Sequence, residues 1–190
     1  MLNTIYTGKL KKYLVEYALI RRDIIKLSDD ALHFSKRAIF AMHRDDLTEA
    51  QMKLNDAEKN LKEVIKKYGK DERATDEGSY KAGLEEFVEA TLLYQFLTTG
   101  KISEIKSLPI SPESYVAGLC DVPGELYRYA IKSATIRNIE MVKKCAMTAE
   151  EITGELIEFN LTSYLRNKFD QAKSAVQKIE QIVYELSLRS

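Results

Sequence analysis

The chain has 190 residues, 45% of them hydrophobic, with 29 basic side chains against 29 acidic, which suits one domain, 1–190, that buries its own core. No run of about 18 apolar residues is present, lysines are scattered through Met1 to Arg22, and Cys120 and Cys145 form neither a zinc spacing nor a disulfide framework. A membrane span, an export leader and a disulfide scaffold are therefore not expected, and a soluble cytoplasmic chain is.

Three prolines and eight glycines punctuate long stretches of helix formers without β-type alternation, so the expected fold is all-α, a bundle of six or seven helices. Nothing breaks the first from about Lys9 to Arg44. Leu10, Leu14, Tyr17, Ile24, Leu27 and Ala31 follow helical spacing along it, giving a rod of roughly 50 Å at about 1.5 Å per residue. Its basic groups Arg21, Arg22, Lys36, Arg37 and Arg44 are candidates to face phosphates, with solvated side chains as the plain alternative. His33 and His43, ten apart, are not an i, i+4 metal pair and read as surface or RNA-facing residues.

Asp46 with Glu49 makes a capping box for a second helix to about Tyr68, closed by Gly69. A third starts near Asp71 to Asp76 and runs to Gly100, and Lys101 to Pro109 is a linker. Ser111-Pro112-Glu113 opens a helix to about Asn138. Thr148 with Glu151 caps the next, to about Asn160, and the last runs from near Ser163 to Leu188. Charge is uneven along this order: residues 1–70 carry 15 basic against 10 acidic groups, residues 71–160 carry 9 against 16. A phosphate binder beside a metal-loading site would have such a division, and chance also produces it.

Two stretches hold the chemistry. Glu86 and Glu89, three apart, share a face of a helix that Leu92, Leu93, Tyr94, Phe96 and Leu97 make apolar nearly all round, so both carboxylates sit where water thins out. On the following helix Asp121, Glu125, Arg128 and Lys132 fall on one stripe, with Leu119, Leu126 and Ile131 off it. Like charges at i, i+4 cost about 0.2–0.5 kcal/mol on a bare helix, and a cation over them would offset it. Oxygen ligands select a hard ion, Mg²⁺ or Mn²⁺ rather than zinc. Alternatives stand beside this: solvated glutamates, Asp121 as no more than an N-cap before Pro123, and Arg128 and Lys132 either meeting a phosphate or neutralising the acids.

The segments Leu27-Ser28, Ser35-Lys36-Arg37-Ala38-Ile39-Phe40 to His43-Arg44, Glu86-Phe87-Val88-Glu89-Ala90 and Gly118-Leu119-Cys120-Asp121-Val122-Pro123-Gly124-Glu125-Leu126, with Tyr184 to Arg189 at the end, resemble the translin family in order and spacing. The resemblance covers nearly the whole chain. Its acids resemble the branch of translin-associated factor X, in which they form a Mg²⁺-dependent ribonuclease site; the translin branch, which binds nucleic acid, largely lacks them. Carried over by position, Glu86 and Glu89 match the paired glutamates, Asp121 the essential aspartate and Glu125 the acid one turn later. Pro123 departs from the small residue usual there and bears on the direction of Glu125.

The resemblance thus implies a translin-like fold, a homo-oligomeric barrel, an octamer, and an endoribonuclease whose catalytic and metal-holding residues are Glu86, Glu89, Asp121 and Glu125. The partners implied are RNA and, as a further candidate, single-stranded DNA. The competing expectation is a non-catalytic DNA- or RNA-binding protein of the translin type. A purely structural oligomer would need no interior acids.

Overall fold

The computed structural model describes residues 2–188, so Met1 and the Arg189 of the family-like C-terminal segment lie outside the described residues. Seven α-helices and no strand occur among them: α1 Thr4–His43, α2 Leu47–Tyr68, α3 Glu72–Asp76, α4 Gly78–Thr99, α5 Pro112–Thr135, α6 Ile139–Ile157 and α7 Ser163–Ser187. The all-α architecture with a long first helix is as the sequence predicts. No helix among the described residues is long and apolar enough to cross a membrane.

The 40 residues of α1 begin earlier than Lys9 because the Asn3 side chain accepts from the backbone N–H of Tyr6 and caps the first turn. Only from Ile24 onward does the helix bury residues. Leu10 and Leu14, which follow the helical spacing, stand 43% and 62% exposed. The buried face is narrow and small, with Ser28, Ala31, Ser35 and Ala38 at helical spacing, which lets a neighbouring helix close in. At Gly83 of α4 a Cβ would stand 3.0 Å from the Ser28 carbonyl oxygen.

Three boundaries depart from expectation. The helix read as continuous from Asp71 to Gly100 breaks at Glu77, held extended at φ −59°, ψ 129°. Its carboxylate accepts from the Tyr17 hydroxyl (2.7 Å) and from Arg21 Nε (2.9 Å) on α1, a tertiary tie with no local signal. α5 ends at Thr135 rather than Asn138, because Arg137 takes a left-handed φ of 58°. Asn138 then caps α6, so Thr148 lies inside that helix and caps nothing. Elsewhere the punctuation holds: Asp46 accepts from Glu49 N, Ser111 from Ser114 N, and Gly100 ends α4 at φ 71°.

α1 packs along α2 and α4, and α5 packs against α4, α6 and α7. α4 is thus the shared wall of two groups of helices. Phe87, Val88, Ala90, Leu92 and Leu93 are buried along it, each large side chain contributing about 1.5–3 kcal/mol. α5 lies tightly against α4 at Gly118, where a Cβ would meet the Glu85 backbone oxygen and Val88. That crossing brings the acids of the two helices side by side.

Candidate functional site

From α4 come Glu85, Glu86 and Glu89, and from α5 come Asp121 and Glu125. Asp121 lies well inside α5, which runs unbroken through Pro123; the N-cap reading of Asp121 is therefore wrong. Glu89 is the deepest acid, 9% exposed, and among the described residues it has neither a hydrogen-bond nor an ion-pair partner. Burial, reinforced by the charges of Glu86, Asp121 and Glu125, pushes its carboxyl up to about 9. The Glu86 carboxyl is also raised, chiefly by burial, against the opposing pull of Lys36. Mutual repulsion of this kind places the four predicted acids in one electrostatic neighbourhood.

Each of the other acids faces a cation of the chain. Lys36 Nζ lies 3.7 Å from Glu86 Oε2. Arg128 Nη1 donates to both oxygens of Glu125 at 2.9 Å, and His43 Nε2 is 2.5 Å from Glu125 Oε2. Burial would raise the Glu125 carboxyl, but the His43 hydrogen bond and the Arg128 charge outweigh it and hold it below its ordinary value. Lys168 donates to Asp121 Oδ2 and lies 3.6 Å from Glu85 Oε2, which also accepts from the Tyr164 hydroxyl at 2.6 Å. Burial disfavours the Lys168 charge, yet the bond to Asp121 prevails and its pKa is raised.

Among the described residues no three His, Cys, Asp or Glu side chains converge as ligands on one point. The donor chemistry nevertheless fits a hard divalent ion. Several carboxylates crowd together, and the deepest keeps a proton where a cation would let it ionise. Glu86, Glu89, Asp121 and Glu125, expected from the sequence to hold one ion together, are the carboxylates that would have to draw closer to do so.

Of the seven cations singled out from sequence, Lys36 and Arg128 touch the acids. Arg21 pairs with Glu77, Arg37 and Arg44 both pair with Glu49 (3.9 and 2.8 Å), and Arg22 is exposed. Arg44 also covers the Phe40 ring at 4.9 Å. Lys132 leaves the acid stripe for Asp45, 2.5 Å away, and lies over the Tyr129 ring. His33 is exposed beside Phe34, as expected. His43 is not a surface residue: its side chain is 12% exposed and turned to Glu125.

Lys168, Glu85 and Tyr164 went unrecognised in the sequence. One signal was available for Lys168. It borders the inward stripe of α7 that buries Phe169, Ala172, Val176 and Ile179, and a lysine there needs a carboxylate.

The translin family model matches residues 19–190. An uncharacterized protein of Methanocaldococcus jannaschii is 29% identical over 174 residues, 89% of this chain and 77% of that protein. The translin-associated protein X homolog of Schizosaccharomyces pombe is 24% identical, over 94% of this chain and 86% of its own. Among solved structures, apo-NeC3PO has a TM-score of 0.85 at 24% identity, and AfC3PO in complex with duplex RNA a TM-score of 0.86 at 22%; each match covers 97% of both chains. These likenesses establish the fold.

Proposed function

The chain belongs to the translin family, as a member similar to translin-associated protein X, and on that premise we propose that it is a metal-dependent endoribonuclease acting in the cytoplasm within a helical oligomer, an octameric barrel. Glu86, Glu89, Asp121 and Glu125 would hold Mg²⁺ or Mn²⁺. The observation that carries this reading is Glu89, a carboxyl sunk beside three others with no partner of its own. Carboxylates repel phosphate, so a protein that only binds RNA would gain affinity by losing them.

A divalent ion in such a site supplies polarisation of the scissile phosphate and a bound water of lowered pKa. The remaining work falls to the chain's own groups. His43 and Arg128 fix both oxygens of Glu125 from opposite sides in sequence, one on α1 and one on α5. Glu89 keeps a proton on its carboxyl at neutral pH, and a cation bound beside it would favour the ionised form. Arg128 and Lys36, each more than half exposed while touching an acid, stand where a phosphate would arrive. Duplex RNA is the ligand in the complex of one structural neighbour, which supports RNA as the partner here; single-stranded DNA follows from the family resemblance alone.

A second reading, nucleic-acid binding without catalysis, draws on the ion pairs already made by Glu86, Asp121 and Glu125. Incubating the purified protein with labelled single-stranded and duplex RNA, in Mg²⁺ or in EDTA, decides between them. Cleavage in Mg²⁺ that EDTA abolishes is the expected result, and retention of intact RNA under both conditions would leave the binder.

A further inference from the structure

Lys168 enters the acid cluster from α7, 47 positions after Asp121 in the chain. Its ammonium bonds Asp121 Oδ2, lies 3.6 Å from Glu85 Oε2 and sits 5.3 Å from the centre of the Tyr164 ring. Its side chain is 13% exposed, against 60% for Lys36, the other ammonium of the cluster. An exposed lysine shares its carboxylate loosely and yields to salt. An enclosed one meets its carboxylates through a lower dielectric, and removing either partner leaves a poorly solvated charge unpaired at far greater cost than at the surface. The side-chain type matters as well, since lysine carries a point charge on a flexible stem and can swing between acceptors, where the planar fork of arginine would lock on one.

We propose that Lys168 is a tethered counter-ion that competes with the divalent ion for Asp121. The proposal rests on reading the acids as an ion site. An ion that uses both oxygens of Asp121 must draw Oδ2 away from the ammonium, and one that uses the other oxygen shares a carboxylate whose charge Lys168 already offsets. Glu85 with the Tyr164 hydroxyl remain within reach of a displaced ammonium. Lys168 is thus a positioning residue that weakens ion affinity. In return, Asp121 and Glu85 never confront an approaching phosphate as bare anions, so RNA can arrive before the ion does.

The test is calorimetric titration of Mn²⁺, without RNA, into the full chain and its Lys168→Met and Lys168→Arg variants, alongside thermal melts in EDTA and in Mn²⁺. Lys168→Met should bind Mn²⁺ roughly ten- to a hundredfold more tightly, the worth of a hydrogen bond to a charged group. It should also melt below the parent in EDTA and gain more from Mn²⁺. Lys168→Arg keeps the charge but locks it on its carboxylate, and should bind Mn²⁺ no more tightly than the parent. Lys168→Gln, neutral but still able to donate to Asp121, gives the same comparison should the Met variant fail to fold. Affinity unchanged or weakened in the neutral variants, with the parent binding Mn²⁺, would overturn the competition and leave the ion site standing. A parent that binds no Mn²⁺ would remove the ion site and the proposal with it.

Discussion

Gly118 of α5 lies against the backbone of Glu85 on α4, so near that a Cβ on it would stand 2.6 Å from the Glu85 oxygen and 2.7 Å from Val88 Cβ. Neither obstacle is a flexible side-chain end. Gly118→Ala must therefore push the two helices apart, at about 1–3 kcal/mol for overpacking, and separate the α4 acids from those of α5. Calorimetry should show a melting temperature several degrees lower; a variant that melts with the parent would mean the crossing is slack.

Glu89 ties stability to pH. In the fold its carboxyl keeps a proton up to about pH 9, against 4.5 for the ordinary group. Unfolding between those values releases a proton, so stability falls as pH rises through that window, by up to about 1.4 kcal/mol per unit. The contribution is fully present below 4.5 and gone above about 9. Glu89→Gln, a neutral side chain of the same shape, should flatten this slope and melt above the parent in EDTA at about pH 8. Parallel stability curves for the two proteins would refute the assignment.

Asp121→Asn should act in the opposite sense on stability, since Asp121 is paired where Glu89 is not. The change leaves the enclosed Lys168 with Glu85 at 3.6 Å as its remaining carboxylate, and a loss of about 1–3 kcal/mol is expected. Cleavage in Mg²⁺ should fall by several orders of magnitude, while RNA affinity in EDTA holds or rises. Undiminished cleavage by this variant would remove Asp121 from the catalytic site.

The ion itself can be ranked. Activity removed by EDTA should return with Mg²⁺ or Mn²⁺, because the donors are carboxylate oxygens, and Zn²⁺ should do no better. Full rates in chelator, measured on the same RNA, would take the metal out of the mechanism.

What could be read from the sequence was what local spacing determines. Asp46, Ser111 and Gly100 announce helix ends through side-chain or backbone chemistry that acts within a few residues. Likewise Glu86 and Glu89, or Asp121 and Glu125, share a face wherever their helix goes. The cations that meet them obey no such rule. His43 reaches Glu125 across 82 positions and Lys168 reaches Asp121 across 47, through helix packing that periodicity does not specify. Lys132 shows the converse: it sits at the right spacing for the acids, yet Asp45 in the turn after α1 is closer. The breaks at Glu77 and Arg137 were hidden for a similar reason, one held by α1 and the other a left-handed residue that is not glycine.

The late position of Lys168 bears on the order in which a growing chain can complete this site. Lys36, His43 and all five acids are synthesised before α7, so a nascent protein that has made α1 through α6 already presents Asp121 and Glu85 without the ammonium that answers them. The charge balance closes only when the last helix docks. A chain truncated after α6 would keep every acid and lose that cation, so damage at the C-terminal end would reach the site through unanswered charge as well as through the packing it removes from α5.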